Sequence, residues 1–446
     1  MNARNETVVA GSGQSGAQAS PQLGAALVLA AILFGCSPAS AGDEKVIRLW
    51  AMGREGEVVT QLMPAFEKEN PGVRVEVQQI PWTAAHEKML TAYVGEATPD
   101  LAMLGNTWVP EFVALNALEP LDEMAARSKV IRRDDFFPGI WKTNVVGGKT
   151  YGIPWYVDTR LIFYRSDILA KAGYNKMPET WAEWVTCMKK IKSQMTARQF
   201  PMLMPTNEWP QPVGFALETG SPILKDGGRY GAFRDPKFRK AFEFYLDFYR
   251  LGLAPPVSSS QISNLFQEFE RGNIAMYISG PWYIGEFRNR LGKDVQDKWM
   301  TAPMPGVDGP GVSMAAGASL SLFKASKRKK EAWALMEYLS RPEIQLEFYR
   351  LTGDLPPRKT AWQDTALSNN KYTKAFRDQL DRVAPLPQVP EWEEIATSIF
   401  EHGERAIRGA ATTDQTLTAL DRDVDAMLEK RRYLLSLDAP AGKKGR

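Results

Sequence analysis

Strand and helix patterns alternate along the first part of the chain, and this alternation limits the fold more than any other feature. Residues 45–50 and 73–80 have strand character, the second with a clear two-residue period, and residues 101–104 form a fully apolar run typical of a buried strand. Apolar residues at helical spacing predict helices over 57–69 and 84–94. Because strands joined by helices in this order form mostly parallel sheets through right-handed crossovers, the sequence predicts an α/β fold.

A second feature is a pair of strand-like runs that enclose a single carboxylate. Residues 152–157 and 161–165 are rich in aromatic and β-branched residues, and Asp158 lies between them. The strand and helix pattern begins again after Asp158, which predicts a crossing between two α/β lobes. Since a carboxylate beside aromatic rings suits the hydroxyls and C–H faces of a sugar, Trp155 and Tyr156 indicate a carbohydrate cleft here. The alternative is an ordinary surface turn between two strands.

The composition supports two soluble domains and argues against several functions. A chain of 446 residues is too long to fold around one small core, so two domains are expected. The net charge of +3 gives no basis for nucleic-acid binding. Only 2 His against 13 Trp leave little room for an imidazole metal centre or a His-based triad, and favour stacking on a ring-shaped ligand. Neither GxGxxG nor GxxxxGK[ST] occurs, so a phosphate-binding loop is not predicted.

Ligands of open α/β sheets bind at the carboxyl ends of the strands, where this chain has acceptors, donors and indoles together. The residues at these predicted strand ends are Arg54, Glu55, Trp82, Asn106, Thr107, Trp108 and Asp158. A Ser-Gly-Pro turn follows the apolar strand 274–278 and places Trp282, with Tyr283, at its end, so Trp282 is the best stacking candidate; the alternative is a core tryptophan at a helix start. Gly317 and Ala318 would let the backbone approach a ligand closely.

Four further segments complete the prediction. Residues 201–214 contain four prolines and are predicted to be a loop, whereas 301–311, rich in proline and glycine, are predicted to cross back between the lobes. Thr180 is a predicted N-cap of a helix that begins at Trp181. Arg358 follows two prolines and offers one guanidinium from a rigid loop.

The N-terminal region predicts export. Residues 23–34 are largely apolar and of the length of a signal-peptide core, and the Leu-Phe-Gly-Cys that ends at Cys36 resembles a bacterial lipobox. Cleavage after Ala41 at an Ala-Ser-Ala site is the alternative. Residues 1–41 are therefore a predicted leader, Cys36 is a candidate lipid anchor, and 438–446 are a predicted disordered basic tail. A periplasmic or cell-envelope location follows from this interpretation.

Several stretches from about residue 46 to residue 426 resemble family 1 extracellular solute-binding proteins of ABC sugar importers. They are "FEKENPGVRVEV", "TPDLAMLGNTWVPEFVALNALEPLDE", "YGIPWYVDTRLIFYRSDIL", "PETWAEW", "GNIAMYISGPWYIGEF", "AAGASLSLFKASKRKKEAWALMEYLSRPEIQLEFY" and "GDLPPRKTA". Their order and spacing make the resemblance specific. Within the family, "LGNTWVPEF" and "IPWTAAHEK" are most similar to the maltose and trehalose-binding branch.

The resemblance implies a two-lobed periplasmic-binding-protein fold of type II, with mostly parallel sheets flanked by helices and a ligand cleft between the lobes. Lobe 1 would comprise 43–157 plus 305–350, and lobe 2 would comprise 158–304 plus 351–437. The implied protein is a monomer without cofactor or catalysis that binds a di- or oligosaccharide by hinge closure and delivers it to ABC permease subunits. The family's sugar contacts carry over to Arg54, Glu55, Asn106, Asp158, Trp282, the backbone at Gly317 and Ala318, and Arg358. Many relatives have Asp where this chain has Asn106.

Two rival functions fit parts of the sequence. A secreted or lipid-anchored glycosidase acting on an α-glucoside would need two carboxyl groups across the scissile bond, for which Glu55 and Asp158 are a conceivable pair. A metal-binding relative would use clustered Tyr, His or carboxylates. His86 and His402 are far apart in sequence and lack HExxH spacing, so each is predicted to be an ordinary surface or capping residue.

Overall fold

The computed structural model describes residues 44–262 and 264–437. The predicted leader at 1–41, the candidate anchor Cys36 and the predicted tail at 438–446 lie outside these residues. The strands of the described part are β1 (Lys45–Met52), β2 (Val73–Ile80), β3 (Leu101–Gly105), β4 (Val145–Val146), β5 (Lys149–Thr150), β6 (Ile153–Val157), β7 (Leu161–Arg165), β8 (Phe200–Leu203), β9 (Leu224–Lys225), β10 (Tyr230–Gly231), β11 (Ile274–Ser279), β12 (Trp299–Ala302), β13 (Ser313–Met314), β14 (Gly317–Leu322) and β15 (Val383–Ala384).

Helices cover both sheets. They are α1 (Gly53–Val59), α2 (Met63–Glu69), α3 (Trp82–Val94), α4 (Val109–Ala114), α5 (Asp122–Arg127), α6 (Pro138–Lys142), α7 (Ser166–Lys171), α8 (Trp181–Ser193), α9 (Pro210–Glu218), α10 (Pro236–Arg250), α11 (Leu265–Glu270), α12 (Trp282–Arg290), α13 (Lys329–Leu339), α14 (Pro342–Thr352), α15 (Thr365–Ser368), α16 (Lys374–Leu380), α17 (Trp392–Ile407), α18 (Thr413–Met427) and α19 (Glu429–Leu437).

Two sheets, one in each lobe, organise the molecule. The first has five strands in the order β2-β1-β3-β14-β6, and the second has four in the order β12-β7-β11-β8. In each sheet one strand runs against all the others: β14 in the first and β7 in the second. Both follow a crossing from the other lobe. Because such a strand enters its sheet from the side where the other strands end, it must run antiparallel to them.

Each sheet has its own apolar core. Around the five-stranded sheet the core includes Leu49, Leu101 and Leu320, and around the four-stranded sheet it includes Trp184 and Phe215. A third apolar cluster joins residues of both sheets, including Val157 of β6 and Phe163 of β7, so apolar packing continues across the first crossing. The first crossing is residues 158–160, between β6 and β7, as predicted for Asp158.

The prediction of a loop over 201–214 is wrong, because this segment contains strand β8 and the start of helix α9. Strand β8 is at the edge of its sheet, and Pro201 is not among its residues that pair with β11, so the missing N–H is not needed. Pro210 and Pro212 occupy the first turn of α9, where backbone N–H groups have no partner within the helix.

The helix predicted over 57–69 also differs from the structure. It begins earlier, at Gly53, and a 3₁₀ turn over Thr60–Leu62 divides it into α1 and α2 just before Pro64. Since proline cannot donate to the preceding turn, the interruption falls where its N–H would be required. Arg54 and Glu55 therefore lie in the first turn of a helix and not in a loop.

Candidate ligand-binding cleft

A cavity of about 940 Å³ lies where strands of both sheets end. The five-stranded sheet contributes the residues that follow β1, β3 and β6 and the start of β14, and the four-stranded sheet contributes the residues that follow β11. Eleven of the predicted site residues line it: Arg54, Glu55, Trp82, Asn106, Thr107, Trp108, Tyr156, Asp158, Trp282, Tyr283 and Gly317. The strand-end argument thus brings together residues of two sheets, from positions as distant as Arg54 and Tyr283.

Three predicted site residues do not line this cavity. Trp155 is 1% exposed and stacks on Phe348 in the core, because successive residues of a strand face opposite sides of the sheet and Tyr156 takes the cavity side. Ala318 is buried within the sheet. Arg358 is also buried, where its Nε donates to Asp135 at 2.6 Å and its Nη1 donates to the carbonyl oxygen of Ser340 at 2.6 Å. These three side chains support the fold.

Aromatic faces approach the cavity from both lobes. Trp82 is 38% exposed, an unusual state for an indole, and its ring meets Trp108 edge-on at 5.8 Å. Trp282 and Tyr283 lie on the other lobe, at the start of α12. Trp282 begins a helix and lines the cavity, and it is only partly buried, so it is not the core tryptophan of the alternative.

The position of the Trp282 indole depends on Gly280. A Cβ atom at residue 280 would lie 2.0 Å from the Trp282 ring and 2.7 Å from Asp158 Oδ1, closer than real contacts allow. The Arg160 guanidinium lies 5.0 Å from the centre of the same ring, and its Nε is 3.2 Å from Asp158 Oδ1. Trp282, Arg160 and Asp158 therefore form one compact group at the first crossing.

Burial raises the pKa of three of the carboxyl groups in the cavity wall. The pKa of Asp354 is well above its ordinary value because of burial and the neighbouring charge of Glu55. Burial also raises the pKa of Glu55, although hydrogen bonds from its own backbone, Tyr156 and Trp82 oppose this shift. For Asp158 burial outweighs the effect of Arg160, so its pKa is raised too. A protonated carboxyl can donate as well as accept, which widens the hydrogen bonding available to a ligand hydroxyl.

The Gly317 backbone and the Asn106 side chain also line the cavity. Gly317 has φ +146°, and a Cβ there would meet the carbonyl oxygen of Tyr156 at 2.2 Å, so only glycine fits this close approach of β14 to β6. Asn106 donates its side-chain amide to the carbonyl oxygen of Ala315 at 3.2 Å. This bond fixes the orientation of the amide and directs its other end, the carbonyl oxygen, away from that contact.

Sequence reasoning missed several residues of the cavity wall. They are Gly105, Arg160, Trp209, Pro210, Phe266, Gly285, Glu286, Asn289, Arg290, Met314, Ala316, Leu351, Thr352, Asp354, Leu386 and Glu393. Arg160 could have been found, since it follows Asp158 by two positions in the crossing. Asp354 directly follows Gly353, the left-handed C-cap of α14. A carboxylate just beyond the end of a helix could have identified Asp354 as a candidate site residue. Glu393, on a helix near the end of the chain, had no comparable signal.

The two histidines each contact a carboxylate. His86 Nε2 lies 2.6 Å from Glu111 Oε2, and this hydrogen bond raises the pKa of His86. His402 Nε2 lies 2.9 Å from Asp423 Oδ2. Within residues 44–262 and 264–437, no group of three or more His, Cys, Asp or Glu side chains is arranged to hold a metal ion.

The geometry agrees with a comparison against known families, in which residues 52–346 match the bacterial extracellular solute-binding proteins. This chain belongs to that family. The solute-binding protein is 47% identical to the sugar-binding protein MalE of Xanthomonas citri, whose structure superposes with a TM-score of 0.86 over 88% of this chain and 99% of that chain. This likeness establishes the two-lobed α/β fold.

More distant relatives of the solute-binding protein share most of its length. The diacetylchitobiose binding protein DasA of Streptomyces coelicolor is 26% identical over 74% of this chain and 76% of its own. A galactooligosaccharide-binding protein of Bacillus subtilis is 23% identical over 85% of this chain and 88% of its own. These relatives are binding proteins by name. In the described part of this chain, every helix is too short or too polar to cross a membrane.

Proposed function

We propose that this protein is the sugar-binding component of an ABC importer, located outside the cytoplasm. It binds a neutral di- or oligosaccharide of the maltose or trehalose type between its lobes and delivers it to the permease subunits in the membrane. One observation carries the proposal: a cavity of about 940 Å³ has indole faces on both lobes and carboxyl groups between them. Rings match the C–H faces of a pyranose, and carboxyl groups match its hydroxyls.

Each wall residue has a role in this proposal. Trp282 stacks on one sugar ring from the second lobe, and the exposed Trp82 covers the sugar from the first lobe. Asp158, Glu55 and Asp354 bind hydroxyl groups. Because groups on both lobes must contact one ligand, the closed arrangement is favoured only when the sugar is present.

The lobes and the cellular location are part of the same proposal. Lobe 1 comprises 43–157 and 305–350, and lobe 2 comprises 158–304 and 351–437, so that the chain crosses between lobes three times. The exported protein is a monomer, attached to the membrane only through an acylated Cys36. Replacing Cys36 by Ala should move the protein from the membrane fraction to the soluble periplasmic fraction; unchanged fractionation would count against the anchor.

The relatives support a carbohydrate ligand. The names of three of them specify a sugar, diacetylchitobiose or a galactooligosaccharide as the ligand. A solved structure of MalE3 from T. maritima contains maltose, but at 23% identity its likeness supports the fold alone.

Calorimetric titration tests the proposed function. Purified protein is titrated with maltose, trehalose, a galactooligosaccharide and diacetylchitobiose, with arginine and citrate as non-sugar ligands. We expect saturable one-to-one binding of at least one sugar, and of maltose or trehalose in particular. Binding of a non-sugar alone would contradict the proposal. The same samples, incubated for a day and assayed for free monosaccharide, should show no hydrolysis; release of glucose would instead support an enzyme.

A further inference from the structure

A second cavity, of about 720 Å³, adjoins the cleft. Both cavities have Gly285, Asn289, Leu351 and Thr352 in their walls. Helix α12 forms one side of the second cavity, and the end of α14 with residues 365–372 forms the other. A ligand that fills the cleft beside Trp282 can therefore continue along α12 into this second space.

Gly285 lies at the boundary between the two cavities, and its lack of a side chain keeps the boundary open. It is inside helix α12, where glycine costs about 1 kcal/mol relative to alanine. Its φ is not positive, and a Cβ added there meets nothing within 4 Å. Neither backbone conformation nor close packing therefore accounts for a glycine at this position. Open space between the two cavities does.

The wall of the second cavity has the chemistry of a sugar site without a carboxylate. Amide and hydroxyl groups come from Asn289, Thr352, Asn369 and Asn370, and the Asn370 amide donates to the Tyr349 hydroxyl at 3.3 Å. The cleft, in contrast, has several acidic groups. Amides and hydroxyls can each donate and accept, which suits the exposed hydroxyls of further sugar units.

The charged groups of the second cavity are basic, and two of them already have acidic neighbours outside its wall. Arg350 Nη1 lies 2.9 Å from Glu347 Oε2, and Lys371 Nζ lies 3.6 Å from Asp297 Oδ1. These ion pairs reduce the positive charge available to an anionic ligand. The third cation of the wall, Arg288, has its guanidinium 5.4 Å from the centre of the Tyr372 ring.

We propose that the second cavity extends the sugar site, so that the preferred ligand is an oligosaccharide of more than two units whose chain passes Gly285. This proposal rests on the proposed sugar-binding function and specifies the length of its ligand. Each cavity alone is within the range of about 300–1,000 Å³ that holds one small ligand, so the two together exceed what a disaccharide fills.

The test is affinity against chain length. Wild-type protein and the Gly285→Phe variant are titrated with maltose-series saccharides of two to five units, and with galactooligosaccharides and chitooligosaccharides of the same lengths. In wild type, affinity should rise up to at least four units. In Gly285→Phe, affinity for the pentasaccharide should fall about tenfold more than affinity for the disaccharide, a difference of about 1.4 kcal/mol. Gly309→Phe is the control, since a Cβ there also meets nothing within 4 Å and residue 309 lies outside both cavities.

Two outcomes would overturn the length proposal while leaving sugar binding intact. One is equal affinity for all chain lengths in wild type. The other is an equal loss for disaccharide and pentasaccharide in Gly285→Phe, which would place residue 285 in the disaccharide site or in lobe closure. If wild type binds none of these saccharides, the proposed function fails and the length proposal fails with it. Circular dichroism and the thermal midpoint show whether Gly285→Phe is folded, which its helical position and open surroundings favour.

Discussion

The Trp282 indole occupies the cleft because residue 280 has no side chain. A Cβ at this position would overlap the ring and approach Asp158. Replacing Gly280 by Ala should therefore displace the indole and lower sugar affinity by about tenfold, or about 1.4 kcal/mol. Titration calorimetry measures the change, with Gly309→Ala as the matched control because its added methyl group meets no atom within 4 Å. Unchanged affinity in Gly280→Ala would show that the observed indole position is not the one that binds sugar.

Removing the indole itself tests stacking more directly. Trp282→Ala should weaken sugar binding by about 1–3 kcal/mol, as expected for loss of a large aromatic contact in a binding site. Tyr433→Ala removes an exposed aromatic side chain on α19 and should leave affinity unchanged. If both variants bind sugar as wild type does, Trp282 is not a ligand contact.

Asp354 should make the unliganded protein less stable at higher pH. Burial and Glu55 raise its pKa in the folded state above the ordinary value of about 3.9, so the folded state binds this proton more tightly than the unfolded state. The associated stability is complete below the unfolded pKa and is lost as pH rises through the folded pKa. Asp354→Asn should therefore raise the melting temperature at pH 8, with the gain shrinking towards pH 4.

Thermal unfolding across pH 4–8 checks this expectation. Asp308→Asn is the control, because it makes the same chemical change at an exposed position. A melting temperature of Asp354→Asn that parallels wild type at every pH would show that Asp354 titrates normally in the folded protein.

At the level of elements, the local signal for one helix start was reliable. Thr180 was predicted as an N-cap, and its side chain accepts a hydrogen bond from the backbone N–H of Glu183 at 3.3 Å. Prolines were misleading in 201–214, because a proline excludes a backbone hydrogen bond but does not exclude an edge strand or a first helical turn. The sequence shows which N–H is missing, and only the neighbouring elements show whether it was needed.

The cap at α8 gives a prediction for stability. Thr180→Ala should lower the free energy of unfolding by about 1 kcal/mol, because the N–H of Glu183 loses its acceptor. Thr180→Ser keeps the hydroxyl and should stay within a few tenths of a kcal/mol of wild type. Urea unfolding of the three proteins, followed by circular dichroism, measures both differences. Equal stability of the Ala and Ser variants would show that the cap contributes nothing.

At the level of the whole molecule, the crossings explain both the sheets and the cleft. The chain passes from the first sheet to the second between β6 and β7 and returns between β12 and β14, and both β7 and β14 run against their neighbours. The same arrangement places Asp158 and Gly317 at the cleft. Binding residues at the crossings are therefore well placed to couple ligand contact to movement of the lobes.

Lobe closure has a measurable consequence in solution. Addition of a saturating sugar identified by calorimetry should reduce the radius of gyration measured by small-angle X-ray scattering, because contacts from both lobes favour the closed arrangement. A sugar that produces no heat in calorimetry is the control and should leave the scattering curve unchanged. Tight binding with no change in scattering would contradict hinge closure.

The sequence by itself determined the alternation of strands and helices, the crossing at Asp158 and the strand-end positions of Glu55, Asn106 and Trp282, because these depend on periodicity and turn residues within short windows. Only the tertiary structure decided that Asp354 and Glu393 share a wall with them and that Trp155 packs in the core. A strand pattern shows that side chains alternate between the two faces of a sheet. Which of these faces is covered by other elements depends on residues distant in the chain. Proximity across the cleft is set by how two sheets meet, and no local pattern contains that information.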